Sequence, residues 1–175
     1  MNKNTVFSLL ILTIVAVSSC KKALPDIEFS KEFANIDFVL QPQDSIGEFN
    51  LLNQTFNTDI VEKLTQEGFN VNNLKEVKLE SAILQVVDAN SELNFDFLRD
   101  VNASLESNTT FIFANVQLPV SFPERTINLN PTANDLKSYF KAEQLNVKLR
   151  AYLELPINQP IACKLALRFK IKAGI

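Results

Sequence analysis

Histidine is absent from this chain of 175 residues. Its absence removes the commonest general base and the commonest metal ligand, so histidine-dependent hydrolysis and histidine metal centres are excluded. Only three Gly are present, which leaves no glycine-rich loop for cradling phosphate groups. Turns must then be made mainly by other residues, and the seventeen Asn that follow Cys20 supply that chemistry.

The remaining composition is that of an ordinary folded domain. Hydrophobic residues make up 46% of the chain and charged residues 21%, which fits a globular domain and not a disordered one. A chain of this length can bury a sizeable core without disulfides. We therefore predict a single domain over residues 26–175.

The first twenty residues have the three parts of a secretory signal. Lys3 supplies the charged start, residues 6–17 are mostly apolar, and small residues follow. The apolar run is too short to span a bilayer as a helix. Val17-Ser18-Ser19-Cys20 resembles the lipobox of bacterial lipoproteins, with Val and Ser in place of the consensus Leu and Gly or Ala. The resemblance implies a lipoprotein signal peptide over residues 1–19 and acyl chains such as palmitate on Cys20; the alternative is an ordinary cleavable signal.

A lipid anchor on Cys20 would hold the domain close to the membrane. Residues 20–25 form a tether whose five residues after Cys20 reach at most about 18 Å. No Asp follows Cys20, and by resemblance to other lipoproteins this argues against retention in the inner membrane. The acidic cluster that accompanies surface export in lipoproteins of the Bacteroidota type is also absent. We expect anchoring in the outer membrane with the domain facing the periplasm, and surface exposure stays open.

Strict alternation of apolar and polar residues covers the C-terminal thirty residues. Every odd position is apolar from Leu145 to Leu155 and again from Ile161 to Ala173. This predicts two paired antiparallel strands with one face on a core. Shorter alternations predict further strands, with a bulge near Ser81 where the parity changes; they lie within residues 26–40, 75–88, 101–105, 112–120 and 127–129.

Two short helices interrupt these strands. Asp59 and Glu62 have the spacing of a capping box before a helix over about residues 59–67, and a second helix is predicted from Thr132 to Phe140. Residues 41–57 carry loop signals. The fold class predicted is all-β, an antiparallel β-sandwich of the immunoglobulin-like kind with one or two short helices.

The two cysteines have different predicted roles. Cys163 has the inward parity of the last strand, which indicates a buried and inert thiol. With Cys20 lipidated, no disulfide can form within the mature chain. We predict no catalytic residue, no metal site and no cofactor.

Two motifs that resemble chemical sites are incomplete. Ser138 and Lys141 match the Ser-x-x-Lys of serine β-lactam enzymes, but the companion motifs are missing. Asp88-x-Asn90-x-Glu92 copies the start of a calcium loop, but Leu93 stands where Gly is required. Neither motif therefore changes the prediction that the chain is not an enzyme.

One modification site is implied by a short motif. Asp44-Ser45-Ile46 resembles the acceptor for O-glycosylation in envelope proteins of the Bacteroidota. The motif lies in a stretch with loop signals, where such an addition can be accommodated. Ser45 is therefore a candidate O-glycosylation site, and the alternative is a plain turn made by Asp and Ser.

Charge is unevenly distributed along the chain. Residues 144–175 hold six basic residues against one Glu, whereas residues 20–143 hold ten basic and nineteen acidic residues. If the last two strands form a hairpin, basic side chains lie opposite one another, which is unfavourable. They then either extend into water or contact an anionic surface such as the membrane or its lipopolysaccharide; the candidates for that contact are Lys148, Arg150, Lys164, Arg168, Lys170 and Lys172. We expect no nucleic-acid partner, because the compartment and the lack of an aromatic stacking array exclude one.

Several features together resemble a known group of proteins. They are the lipobox-like motif, the Asn- and Phe-rich composition, the segment FDFLRDVNASL and the segment NQPIACKLALRFKIKA. The chain is similar to small envelope lipoproteins of the Bacteroidota. The resemblance implies a compartment and a β-sandwich and supplies no site residues. We expect a membrane-anchored, non-catalytic binding or interaction module whose partners are the membrane and another envelope protein or a glycan. The alternative is a carrier of an apolar ligand within a Phe-rich β-sandwich.

Overall fold

Eight antiparallel strands form one continuous sheet in the computed structural model, which describes residues 25–89, 92–106 and 110–175. The all-β, antiparallel fold with short helices is confirmed. In chain order the described elements are β1 (Ile27–Leu40), β2 (Gly47–Asn57), α1 (Ile60–Gln66), a 3₁₀ helix (Val71–Asn73), β3 (Leu74–Val86), β4 (Leu98–Glu106), β5 (Thr110–Gln117), β6 (Thr126–Pro131), α2 (Lys137–Phe140), β7 (Gln144–Leu153) and β8 (Ile161–Ala173).

The sheet is nearly closed, like a barrel, and β6 is its link. The spatial order is β1-β8-β3-β6-β5-β4-β7-β2. Four residues of β6 pair with β3, and its last two residues pair with β5. The predicted sandwich would have two separate sheets, whereas here β6 runs from one half of the sheet to the other. We call β1, β8 and β3 the charged half and β2, β7, β4 and β5 the groove half.

The two end strands approach each other beside α1. The rings of Phe33 in β1 and Phe56 in β2 have centroids 5.7 Å apart. Helix α1 follows β2 and buries Ile60 and Leu64. The helix is where it was predicted, but the predicted capping box is wrong. Asp59 has a left-handed backbone with φ of 53°, and its carboxylate does not cap the helix but accepts from Lys31 Nζ at 2.8 Å.

The inward residues of β7 and β8 are buried as their alternation predicted. They include Cys163, which is 1% exposed. The predicted hairpin between these strands is wrong, because β7 pairs with β2 and β4 while β8 pairs with β1 and β3. Alternation decides which face of a strand is buried, but it does not choose the neighbouring strand.

Register shifts explain which of the predicted strands were right. The prediction for β3 is confirmed, whereas those for β2 and β5 are wrong or partly wrong. The register of β3 against β8 shifts between Leu79 and Ser81, which confirms the bulge predicted near Ser81. Residues 47–57 were predicted as a loop but form β2, whose register shifts between Asn50 and Leu52. The alternation over residues 112–120 predicts that Ile112 and Ala114 point inward in β5, and this is only partly right. Phe113 is buried and Ile112 is 44% exposed, because the register against β4 shifts at this point.

Asp135 fixes α2 against the sheet. Its Oδ1 accepts from the backbone N–H of Val77 in β3 at 2.9 Å and from that of Lys137 at 3.0 Å. Val77 is fully buried, so the carboxylate satisfies a donor that would otherwise have no water to bind. The helix ends at Phe140 as predicted, but it begins at Lys137 and not at Thr132, and it places Phe140 in the core.

Candidate functional site

A groove of about 710 Å³ lies over the outer face of the groove half. Its floor is made by outward-facing side chains of β7, β4 and β5, and Asn130 of β6 and Glu48 of β2 stand at its sides. The inward residues of the same strands are buried in the core, so the alternation that builds the core also places polar side chains here.

A row of four amide side chains and one guanidinium crosses this face at right angles to the strands. Direct register partners are Asn50 with Arg150, Arg150 with Asn102, Asn102 with Asn115, and Asn115 with Asn130. Opposed residues of neighbouring strands point to the same face. We call these five residues, on five successive strands, the amide row. Four strand spacings give the row a length of about 19 Å.

The amide row is flanked on one side by carboxylates and an aromatic ring. Glu48 is the register partner of Tyr152, and Asp100 is the partner of Gln117. All four residues line the groove, and Tyr152 is 39% exposed. The groove therefore combines amides, carboxylates and one accessible aromatic ring.

Most of these groups have no protein partner. Arg150 Nε donates to Asn50 Oδ1 at 3.3 Å. Across residues 25–89, 92–106 and 110–175, no hydrogen bond or ion pair engages the side chains of Asn102, Asn115 or Asn130, or the carboxylates of Glu48 and Asp100. Their hydrogen-bonding capacity is therefore available to solvent or to a ligand.

Ion pairs mark two borders of the groove. Lys148 Nζ lies 2.9 Å from Glu106 Oε1, and Arg99 Nη1 lies 2.5 Å from Glu154 Oε1. Both pairs join β4 to β7 or to the segment after it. The four border charges are thus neutralised by ion pairing. The groove itself presents mainly neutral amides, together with the charged side chains of Glu48, Asp100 and Arg150.

The predicted basic residues do not form one surface. Lys148 and Arg150 belong to β7 in the groove half, whereas Lys164, Arg168, Lys170 and Lys172 belong to β8 in the charged half. The like-charge pairing that suggested an anionic surface is wrong, because Arg168 has Glu32 as its β1 partner and Lys172 has Glu28. Contact with an anionic surface stays a prediction, but the opposed like charges that suggested it are not present between β7 and β8.

Neighbouring strands supply carboxylates to the cations of β8. Arg168 Nε lies 3.4 Å from Glu32 Oε1 and 3.1 Å from Glu80 Oε2. Lys170 pairs with Glu28. The hydrogen bond from Lys170 lowers the pKa of Glu28, and the same bond raises the pKa of Lys170. Arg168, Lys170 and Lys172 on this face are therefore paired with carboxylates, although Lys170 is also the register partner of Lys78 in β3.

The remaining predicted sites have simple placements. Residues 1–24, with Cys20, lie outside the described residues. Asn108 and Thr109, which the sequence predicts as a turn between two strands, also lie outside them. Ser45 is exposed in the bend between β1 and β2, between the exposed Asp44 and Ile46. Neither helix among the described residues is long and apolar enough to cross a bilayer. The same residues hold no group of three or more His, Cys, Asp or Glu side chains placed to bind a metal.

The core where an apolar ligand would have to lie contains packed aromatic rings. Phe169 is fully buried, and its centroid lies 4.8 Å from that of Phe140 and 6.0 Å from those of Phe33 and Phe113. Rings at these separations are in contact. The phenylalanines that suggested a carrier therefore fill the core at this point.

Sequence reasoning missed the groove. Asn102, Asn115 and Asn130 come from three strands, and their alignment depends on pairings that the alternation does not specify. A signal was present, because each Asn occupies an outward position between apolar residues of a strand. Asn is otherwise uncommon in strands, so its repetition at such positions indicates a use other than strand formation.

Comparisons with known proteins give only distant structural similarity. No protein-family model and no curated protein matches the chain. Among solved structures, the infectious bursal disease virus VP2 subviral particle is 8% identical with a TM-score of 0.35, over 89% of this chain and 34% of that chain. PNGase F, a glycosylasparaginase from Flavobacterium meningosepticum, is 12% identical with a TM-score of 0.42, over 86% of this chain and 42% of that chain. This chain thus spans less than half the length of either protein, and TM-scores this low carry no conclusion about function.

Proposed function

We propose that this protein is a non-catalytic binding module, held at the outer membrane by lipids on Cys20, and that the groove is its binding surface. The observation that carries the proposal is the amide row, which lines a groove of about 710 Å³ from β7 to β6 and in which Asn102, Asn115 and Asn130 have no protein partner among the described residues. Binding sites combine concavity with a few convergent polar groups. The groove has both properties.

The alternative, a carrier of an apolar ligand, has less support. A carrier needs an apolar cavity, and the rings around Phe169 occupy the centre of the core. Most of the side chains that line the groove are also polar. A ligand bound there would be recognised by hydrogen bonds, with Tyr152 as the aromatic contact.

The groove also has little equipment for catalysis. The chain has no His, and the buried thiol of Cys163 belongs to β8 in the other half of the sheet. The remaining groups suit the recognition of hydroxyl and amide groups, since carboxylates accept hydrogen bonds and side-chain amides both donate and accept them. We therefore propose binding without chemical conversion.

Carboxylate footprinting tests where binding occurs without assuming the ligand. The full chain, extracted from membranes in detergent, is treated with a carbodiimide and an amine in the presence of separated envelope polysaccharide, lipid or protein fractions. We expect at least one fraction to slow the modification of Glu48 and Asp100 severalfold. Glu62 on α1 is the control and should react at an unchanged rate. Unchanged rates at Glu48 and Asp100 with every fraction would remove the groove as the binding surface.

Fractionation tests the anchor separately. Cys20→Ala prevents acylation of the proposed N-terminal residue, and we expect the variant to accumulate as an uncleaved precursor or in the soluble fraction. Cys163→Ala is the matched control, because it removes a thiol without touching the lipobox-like motif. Metabolic labelling with a palmitate analogue should mark the unaltered protein and Cys163→Ala but not Cys20→Ala. A processed Cys20→Ala protein that still sediments with membranes would place the anchor elsewhere.

A further inference from the structure

The two outer faces of the sheet differ in how their polar side chains are satisfied. On the charged half, cations of β8 face carboxylates of β1 and β3, as in the contacts of Arg168 with Glu32 and Glu80. These cations therefore have protein partners and are otherwise solvated. The groove half instead presents Asn102, Asn115 and Asn130 without protein partners among the described residues.

The chemistry of the amide row selects a ligand rich in hydroxyl groups. A side-chain amide carries an acceptor oxygen beside a donor nitrogen. A hydroxyl group can both donate and accept, so a pair of adjacent hydroxyls can complete both bonds of one amide. The carboxylates of Glu48 and Asp100 can each accept from further hydroxyls, and the guanidinium of Arg150 can donate to ring or hydroxyl oxygens.

Charge and hydrogen-bonding requirements restrict the class of ligand further. Two unpaired carboxylates beside one guanidinium disfavour phosphate, sulfate or uronate groups, because like charges repel at short range. An apolar ligand would bury the amides without hydrogen-bond partners, which is unfavourable. These constraints exclude anionic and apolar ligands, and the three neutral amides of Asn102, Asn115 and Asn130 along the groove favour an uncharged polar ligand.

Tyr152 supplies the apolar contact that such a ligand needs. Its ring is 39% exposed and lies beside the amide row, next to Glu48 in register. A tyrosine ring presents an apolar face and a polar tip. The C–H face of a sugar ring can pack on the ring while its hydroxyls bond to the neighbouring polar side chains.

The length of the amide row favours a chain over a single sugar. The groove follows the row from β7 to β6, and these three strand spacings give a length of about 14 Å. An extended peptide would ordinarily add to a sheet edge, where it can pair its backbone, and would not lie across a sheet face. The face therefore suits a linear ligand with repeated hydroxyl groups along its length.

We propose that Tyr152 and the part of the amide row from Arg150 to Asn130 bind an uncharged oligosaccharide chain that lies across strands β7, β4, β5 and β6. This inference rests on the proposed function and names the ligand class of the same groove. The binding residues are Arg150, Tyr152, Asn102, Asn115 and Asn130, with Glu48 and Asp100 as hydroxyl acceptors.

A glycan-binding experiment with the full chain tests the ligand class. The protein is kept in a detergent without a sugar headgroup and applied to immobilised neutral hexose oligomers, to uronate-containing and sulfated oligomers, and to polar peptides. We expect binding to at least one neutral oligomer, stronger for longer chains, and weaker or no binding to the acidic oligomers. Preference for acidic oligomers or for peptides, or no binding to any neutral oligomer, would overturn the inference.

Variants then locate the site with whichever neutral oligomer binds. Asn102→Ala combined with Asn115→Ala should weaken binding at least tenfold, as should Tyr152→Ala. Tyr152→Phe keeps the ring and should change affinity little. Asn128→Ala is the matched control, because Asn128 is exposed on β6 but does not line the groove. Equal binding by all variants would place the oligosaccharide elsewhere, and thermal melting shows that each variant is folded.

Different results would contradict the proposed binding function of the groove and the proposed oligosaccharide ligand. If an envelope protein fraction protects Glu48 and Asp100 from modification while no neutral oligomer binds, the groove is a binding surface for a protein and the oligosaccharide inference falls. If nothing protects these carboxylates, the proposed function falls as well.

Discussion

The ring centroid of Phe140 in α2 lies 4.8 Å from that of Phe169 in β8. Both side chains are fully buried. The contact joins a helix of four residues to a central strand of the charged half. Phe169 also meets Phe33 from β1 and Phe113 from β5, so one ring connects elements from both halves of the sheet.

Truncation of this ring should therefore destabilise the whole domain. We expect Phe169→Ala to lower the free energy of unfolding by about 3–5 kcal/mol, because the cavity would be lined by other core rings that cannot collapse into it. Urea denaturation measures the change. Val120→Ala serves as the control, since Val120 is 71% exposed and such surface changes stay within about 0.5 kcal/mol. A loss below about 1 kcal/mol for Phe169→Ala would contradict the packing described for this ring.

Asp135 should matter through the donors it satisfies. Asp135→Ala leaves the buried N–H of Val77 without its acceptor at 2.9 Å, and we expect a loss of about 1–3 kcal/mol in unfolding free energy. Asp135→Asn keeps an oxygen at the same position and should recover most of it. The neighbouring Asn134→Ala is the control. Equal losses for the Ala and Asn variants at Asp135 would show that charge, and not the hydrogen bond, is responsible.

The thiol of Cys163 should be unreactive in the folded protein. Burial raises its pKa to about 12, and the charge of Asp88 acts in the same direction. Because the thiolate is the reactive form, a bulky maleimide at pH 8 should label the native protein far more slowly than the urea-unfolded protein. Cys163→Ser places a hydroxyl among apolar neighbours and should cost about 1–3 kcal/mol. Rapid labelling in native buffer would place the thiol at the surface.

Ion pairing on the charged half should appear as a pH dependence of stability. The pKa of Glu28 is lowered from 4.5 by the hydrogen bond from Lys170, so its contribution is present above pH 4.5 and is lost as the pH falls through the folded-state pKa. The pKa of Lys170 is raised from 10.5, so its contribution is present below pH 10.5 and is lost as the pH rises through the folded-state pKa.

Substitution of Glu28 separates this effect from general acid unfolding. Glu28→Gln should be less stable than the unaltered protein at pH 7, and the difference should disappear near pH 2. Both side chains are exposed, so we expect a small effect that shrinks in high salt. Glu62→Gln on α1 is the comparison variant. A difference that persists at pH 2 would assign the effect of Glu28→Gln to packing.

The sequence predicted well which face of each strand is buried, but it predicted poorly which strands lie next to one another. The inward residues of β8 follow from alternation alone, and the bulge near Ser81 follows from a change in its parity. Strand β2 was missed because its register shift between Asn50 and Leu52 breaks the alternation, and because it is an end strand with one paired edge. Pairing of β7 with β8 was wrong because the short connection between them crosses from one half of the sheet to the other.

The candidate site depends on which strands pair with one another, and local sequence patterns do not contain that information. Asn102 meets Arg150 only because β4 pairs with β7, and Asn115 meets Asn130 only through the last two residues of β6. Each partner is distant in sequence, and nothing in the periodicity of one strand specifies another strand as its neighbour. The outward Asn residues were visible in the sequence, but their alignment into a row was not.

The pairing of β1 with β8 also sets the order in which the protein can form. β8 lies seven strands after β1 in the chain, yet it is the hydrogen-bonded partner of β1 in the sheet. Likewise β2 must wait for β7. Because contacts between distant residues require long loops to close, such topologies fold slowly. During synthesis the early strands remain without partners until the late ones have emerged, so a chain of this topology stays unfolded until most of its length is available.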